Sequence, residues 1–342
     1  MALGHFRRNM DLMMLLSARR FWGSSNFMAG LGVLMVLSWG LAQRDVGEGG
    51  LLEHQQRSIG ENGITSLSFS PDGAHFASGH GSGNIVLWDN RRNTPGPSLR
   101  AHSQEVTSLV YSPDSSRLAS ASLDGLVKVR QADDGYQTLL TLFSHNAAVY
   151  DLSYSPDGRS LASAGADRNV ILWDGYLGSV KHMLPHQEVV YAVSYSPDGD
   201  YVFSASAEVI YVWRATTGEL VNQIVGHQDV ITDIVFSPDG RSFASTSWDT
   251  SVIVWDSSSF EALAQLRAHN SNVFLLNYDS SNRYIISLAR DGYVLWELYS
   301  AQAVQHGQVS EGILRSIAFA PDSPKLLTGS TANGLGIWEL VE

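Results

Sequence analysis

Three features of the sequence predict an all-β fold of seven repeated four-stranded sheets arranged as a β-propeller. A Ser-Pro-Asp string recurs every 41 to 43 residues, apolar and polar residues alternate ahead of each recurrence, and a tryptophan ends a second apolar run in six of the copies. The string stands at Ser70-Pro71-Asp72, Ser112-Pro113-Asp114, Ser155-Pro156-Asp157, Ser196-Pro197-Asp198 and Ser237-Pro238-Asp239. It weakens to Asp279-Ser280-Ser281 and returns as Ala320-Pro321-Asp322. A period in this range, held through seven copies, marks a repeat architecture.

Each copy reads as strand throughout. Val230-Ile231-Thr232-Asp233-Ile234-Val235-Phe236 alternates with period two, the pattern of a strand with one face buried. The Pro-Asp-Gly that follows is a turn by its local chemistry. A second strand begins at Ser242-Phe243-Ala244-Ser245, a third is Val252-Ile253-Val254-Trp255, and a fourth, outer strand leads into the next copy, as Leu139 to Phe143 does. From residue 51 onward no segment has helical periodicity. Four short strands in some forty residues compose a propeller blade. The seventh copy stops after its third strand, whereas Leu51 to Ile59 precedes the first copy unassigned. Pairing the two would close the ring and remove an exposed sheet edge.

From about residue 51 to 342 the chain resembles the WD40-repeat family. The Trp-Asp signature stands at Trp88-Asp89, Trp173-Asp174 and Trp255-Asp256, with weaker forms at Trp213-Arg214, Trp296-Glu297 and Trp338-Glu339. The Gly-His column stands at Gly226-His227, with the histidine alone at His102, His145, His186 and His269. The resemblance implies a seven-bladed WD40-type β-propeller with four antiparallel strands per blade, acting as a protein-binding platform. It also implies that His145, Ser163, Asp167 and Trp173, and likewise His227, Ser245, Asp249 and Trp255, form buried hydrogen-bond chains within single blades. These sets have the membership of a serine-hydrolase triad. They nevertheless repeat with the blade period, and no Gly-x-Ser-x-Gly elbow surrounds either serine, so structure is the stronger reading. Arg130 replaces tryptophan beside His102 and Asp124, and Gly60 and Ser310 replace histidine in the first and seventh copies. Those three blades are expected to be less rigidly tied.

Five residues after the histidine column come Thr65, Thr107, Tyr150, Tyr191, Thr232, Phe274 and Arg315. In the family this ring commonly carries partner contacts. Tyr150, Tyr191, Phe274 and Arg315 suit a binding face, although the aromatics would equally fill a channel mouth. Trp248 occupies a strand-connecting loop where no repeat position demands it; it is either a binding anchor or packed back on a neighbouring blade. With Arg290, these residues form the candidate partner surface.

Other chemistry finds little support. The chain has no cysteine, which excludes disulfides and thiolate metal sites. The column histidines belong to different blades, and His182 and His186, four apart on a strand, would stand about 13 Å from one another. No metal site, cofactor or phosphate-binding loop is expected, and no acids or histidines outside the repeat columns are expected to gather at the channel. Net charge is −12. The first 42 residues carry +3 through Arg7, Arg8, Arg19 and Arg20 against Asp11, so the rest carries −15, which disfavours nucleic acid.

The remaining segment is apolar. Phe27 to Ala42 is a 16-residue run without charge, preceded by a basic, amphipathic stretch over 1–26 and followed by a linker over 43–50. Two readings compete: an uncleaved transmembrane anchor, and a signal peptide cut after Gly40-Leu41-Ala42. In both, the arginines keep the N-terminus cytoplasmic and put the propeller across the membrane. With the anchor, the propeller's rim sits close to the bilayer. The leading expectation is a non-catalytic, membrane-tethered scaffold within a larger membrane complex. The alternative is an exported soluble propeller that binds a ligand or protein at its central channel; an enzyme is the third.

Overall fold

The computed structural model describes residues 50–58, 63–132, 135–308, 312–332 and 334–341. The anchor or signal, the basic stretch, the linker up to residue 49, Gly60 and Ser310 lie outside the described residues. Everything described belongs to the unit Gly47–Glu342.

The described elements are strands, gathered into seven antiparallel four-stranded sheets. Blade 1 runs Ile64–Phe69, His75–His80, Asn84–Asp89, Thr94–Arg100, and blade 5 runs Ile231–Phe236, Ser242–Ser247, Ser251–Asp256, Ala262–Arg267. In each blade the first strand is innermost and the fourth forms the rim. Blade 7 joins the two ends of the ring: Leu314–Phe319, Lys325–Ser330 and Gly334–Val341 are completed by Gly50–Ser58. That strand pairs antiparallel from Gly50 opposite Val341 to Ser58 opposite Gly334, with a bulge between Glu53 and Gln55. The ring therefore closes as the spare N-terminal strand foretold.

The recurrent turn is held by its own side chains. Ser70 Oγ donates to Asp72 Oδ1 (2.6 Å) and accepts from His75 N (3.0 Å), while Ala74 N donates to Asp72 (3.0 Å). Gly73 follows with φ +67°, a conformation open to glycine. Blade 6 lacks the proline but keeps the function: Asp279 accepts from Ser281 and from Tyr284 N.

Blades pack face to face, so their middle strands are covered on both sides. Val252, Ile253, Val254 and Trp255 are all buried, which is why that segment is a continuous apolar run rather than an alternating one. The core consequently lies between blades. Trp255 of blade 5 packs with Phe203, Ala205 and Ile210 of blade 4, and Trp173 of blade 3 with Val127 and Val129 of blade 2.

Candidate functional site

One irregularity builds the channel mouth. In all seven inner strands the ladder slips at the second residue, between Ile64 and Ser66, Val106 and Ser108, Val149 and Asp151, Val190 and Ala192, Ile231 and Asp233, Val273 and Leu275, and Leu314 and Ser316. The skipped residues are Thr65, Thr107, Tyr150, Tyr191, Thr232, Phe274 and Arg315. A bulge residue drops out of the ladder and re-aims its side chain. Here all seven line a central cavity of about 580 Å³.

The three threonines are spent internally. Thr65 Oγ1 donates to Val106 O (2.6 Å), Thr107 Oγ1 to Val149 O (2.6 Å) and Thr232 Oγ1 to Val273 O (2.9 Å), each reaching the next blade. The other positions differ in kind. Tyr150 and Tyr191 stack at 5.2 Å and 24°, and Trp248 stands 6.0 Å from Tyr191. Trp248 thus packs on the neighbouring blade, as one of the two readings has it, and still exposes 37% of its surface. Arg315 pairs with Glu105 across blade 1 at 2.7 Å. Arg290 is exposed, and Phe274 lines the same cavity. The mouth carries aromatic side chains over blades 3 to 6 and arginines on blades 6 and 7.

One expectation needs correction. Acids outside the repeat columns do reach the channel: Asp151 and Asp233 line the cavity, because each directly follows the bulge on its strand. Asp151 accepts from Leu152 N (2.8 Å), Val193 N (2.9 Å) and Ser108 Oγ (3.1 Å), joining three blades. Asp233 accepts from Ile234 N (2.8 Å) and from Leu276 N of the next blade (2.9 Å). Burial pushes Asp151 up to about 6 and, with the charge of Asp151 adding to it, Asp233 up to about 8. The signal was an acid at a core-facing strand position, masked by the polar alternation around it.

The histidine sets form as expected. His145 Nδ1 lies 3.0 Å from Asp167 and its Nε2 2.7 Å from Ser163 Oγ, which accepts from Trp173 Nε1 (2.8 Å). His227, Asp249, Ser245 and Trp255 repeat this geometry. A third full set, His269, Asp291, Ser287 and Trp296, went unnoticed in the sequence. Burial lowers all three histidines, and Asp249 falls to about 2 because bonds from Ser251, Gln228 N and His227 outweigh its own burial. The three serines are fully buried, and a nucleophile needs access to substrate.

The partial sets vary. In blade 2, Arg130 Nη1 donates to Ser120 (3.3 Å) in place of a tryptophan. In blade 4, Glu208 stands where the other blades have the aspartate, and His186 Nδ1 turns to Leu184 O (3.0 Å). Blade 1 departs from expectation: His80, from its own second strand, bonds Ser78 (2.9 Å), which accepts from Trp88. Blade 7 keeps Trp338 on Thr328 (2.8 Å). His182 bonds Thr216 O, apart from His186. Among the described residues no group of three or more His, Cys, Asp or Glu is placed to hold a metal ion.

The architecture defines a closed seven-bladed repeat propeller. The family described as WD domain, G-beta repeat (WD40) matches residues 53–89, 93–130, 136–174, 178–214 and 218–256, more than half of the chain. The chain belongs to the WD40 family. It is 30% identical over 95 residues to the target of rapamycin complex subunit LST8 of Saccharomyces cerevisiae, covering 26% of this chain and 31% of that one. It is 35% identical over 75 residues to the LST8 homolog of Dictyostelium discoideum (20% and 25%), and 32% over 82 residues to pre-mRNA-processing factor 19 of Oryza sativa (24% and 16%). The chain thus aligns with less than a third of the length of these relatives.

Proposed function

We propose that this chain is a non-catalytic scaffold that binds a protein partner at its channel mouth, as a membrane-tethered subunit of a larger membrane complex with its propeller outside the cytoplasm. The observation that carries the binding face is the run Tyr150, Tyr191, Trp248, in ring contact across three blades and still partly solvated, its two tyrosines lining the cavity with Arg290 and Arg315. Aromatic and arginine side chains on a rigid ring are the usual anchors of protein interfaces. A relative named as a complex subunit agrees with the scaffold role. Tethering rests on the charge-free run Phe27 to Ala42. The second reading is an exported soluble propeller that binds a ligand or protein at its central channel face, for which the 580 Å³ cavity offers room.

Purification of the native protein in mild detergent, with mass spectrometry of its N-terminus and of co-eluting proteins, separates the two. An intact leader in a stoichiometric complex supports the scaffold; a chain that starts at Gln43 and elutes alone favours the exported binder. In the complex, Trp248→Ala and Tyr191→Ala are each expected to weaken association about tenfold or more, as hot-spot truncations do, without unfolding the ring. Unchanged association would remove the proposed face.

A further inference from the structure

The loops around the channel mouth are unequal in charge. On blades 4 and 5 they carry Glu188, Glu208 and Asp229, all three exposed, and no lysine or arginine. Arg168 and Arg290 stand on the flanking blades 3 and 6, and Arg315 of blade 7 is already matched by Glu105. No ion pair joins any of the three acids to another described residue. Glu208 takes the place of the aspartate that holds the histidine in other blades, but His186 Nδ1 bonds Leu184 O instead, so this carboxylate stays in solvent.

Hydrogen bonds gather these acids around the aromatic run. Ser206 Oγ donates to Glu188 O (3.0 Å), and Ile231 N donates to Ala207 O (2.8 Å), the residue before Glu208. Ser247 Oγ donates to Asp229 O (2.9 Å), and Trp248 N to Val230 O (2.9 Å). The two loops of blade 4 and the two of blade 5 are thereby tied into one patch, in which Trp248 reaches across to Tyr191 at 6.0 Å. Val230 N also donates to Asp229 Oδ1 (2.7 Å) and fixes that carboxylate. The patch is therefore an aromatic face with three acids held beside it.

Both features select the same occupant. The face of an aromatic ring attracts a cation laid over it, and carboxylates without a partner favour positive charge and reject a segment that brings more acids. A lysine or arginine can lay its apolar stem along the rings and keep its charged head in water among the acids. We propose that the partner segment received by this mouth is basic, with a lysine or arginine over Tyr191 and Trp248 and its charge among Glu188, Glu208 and Asp229. The inference rests on the mouth being a partner-binding face, and it adds the chemistry of what is bound there.

The probe is a fluorescent octapeptide of alternating glycine and lysine, titrated by anisotropy into the full chain in mild detergent, with a glycine–glutamate octapeptide beside it. The lysine peptide is expected to bind and the glutamate peptide to stay free. Neutralising the patch with Glu188→Gln, Glu208→Gln and Asp229→Asn together should weaken the lysine peptide about tenfold, and Trp248→Ala about threefold. Asp200→Asn, Glu219→Gln and Glu261→Gln remove equal charge from the opposite end of the same blades. That end lies about 20 Å along the strands, beyond the roughly 8 Å screening length at physiological salt, so binding should change less than about twofold. Equal losses from the two triple variants would overturn the proposal, because overall charge would then attract the peptide. So would a lysine peptide that does not bind, or a glutamate peptide that binds better. The partner-binding face itself falls on a separate result, namely association in the native complex that Trp248→Ala and Tyr191→Ala leave unchanged.

Discussion

Ser245 has two buried clients: it accepts from Trp255 Nε1 and serves His227 Nε2, both at 2.8 Å. Removing its hydroxyl strands two ring nitrogens where water cannot replace it. Each orphaned group costs about 1–3 kcal/mol, so Ser245→Ala is expected to destabilise by about 2–4 kcal/mol in urea unfolding. A loss below about 1 kcal/mol would mean that the ring nitrogens find other partners. Such serines were legible in the sequence because spacing repeats them. His80 was not, because it ends the second strand of its blade, whereas the column histidines precede the inner strands, and it carries no periodic mark.

At the scale of the blade, these chains differ in completeness, and so should local opening. Blades 3, 5 and 6 have the full histidine, serine, aspartate and tryptophan set, whereas blade 2 replaces the tryptophan with Arg130 and blade 7 shows Trp338 on Thr328. Hydrogen exchange resolved by peptide is expected to reach the second and third strands of blades 2 and 7 first. Blade 1, with His80 in place, should resemble the complete blades rather than the weak ones. Protection that is uniform around the ring would show that closure by Gly50–Ser58 dominates over these chains. Strand order and closure could be read from the sequence, since alternation, turns and the spare segment each have a signature. The bulges could not. A bulge inserts a residue into one strand without changing residue type, so the seven ring positions were found by column and their unpaired state only by geometry.

Around the whole ring, buried ionisable groups set two opposing pH dependences. His102 and His186 are held down to about 4, His102 by burial with Lys128 and Arg130 adding, His186 by burial. A depressed histidine contributes stability that is present above its unfolded pKa, about 6.5, and lost as pH falls through its folded value. His145, His227 and His269 shift in the same direction. The channel aspartates act oppositely. With folded values of about 6 and 8 against about 3.9 unfolded, their contribution is complete below pH 4 and is lost as pH rises. Five histidines outweigh two aspartates between pH 4 and 6.5, so stability should climb there. Above 6.5 the unfolded histidines shed their remaining protons, and their contribution levels off by about one pH unit later. Asp233 meanwhile continues to withdraw stability toward pH 8, against a smaller opposing gain from Lys325, which burial holds down to about 8. Midpoints of thermal unfolding should therefore peak close to neutrality and decline gently as Asp233 ionises. Asp233→Asn forfeits an acceptor for one backbone N–H and lowers the whole curve, but it carries no charge to bury, so its alkaline decline should be shallower than that of the unchanged protein. An equal decline in both would mean that Asp233 is already ionised in the folded ring at neutrality, with the N–H groups of Ile234 and Leu276 sufficient to hold its charge.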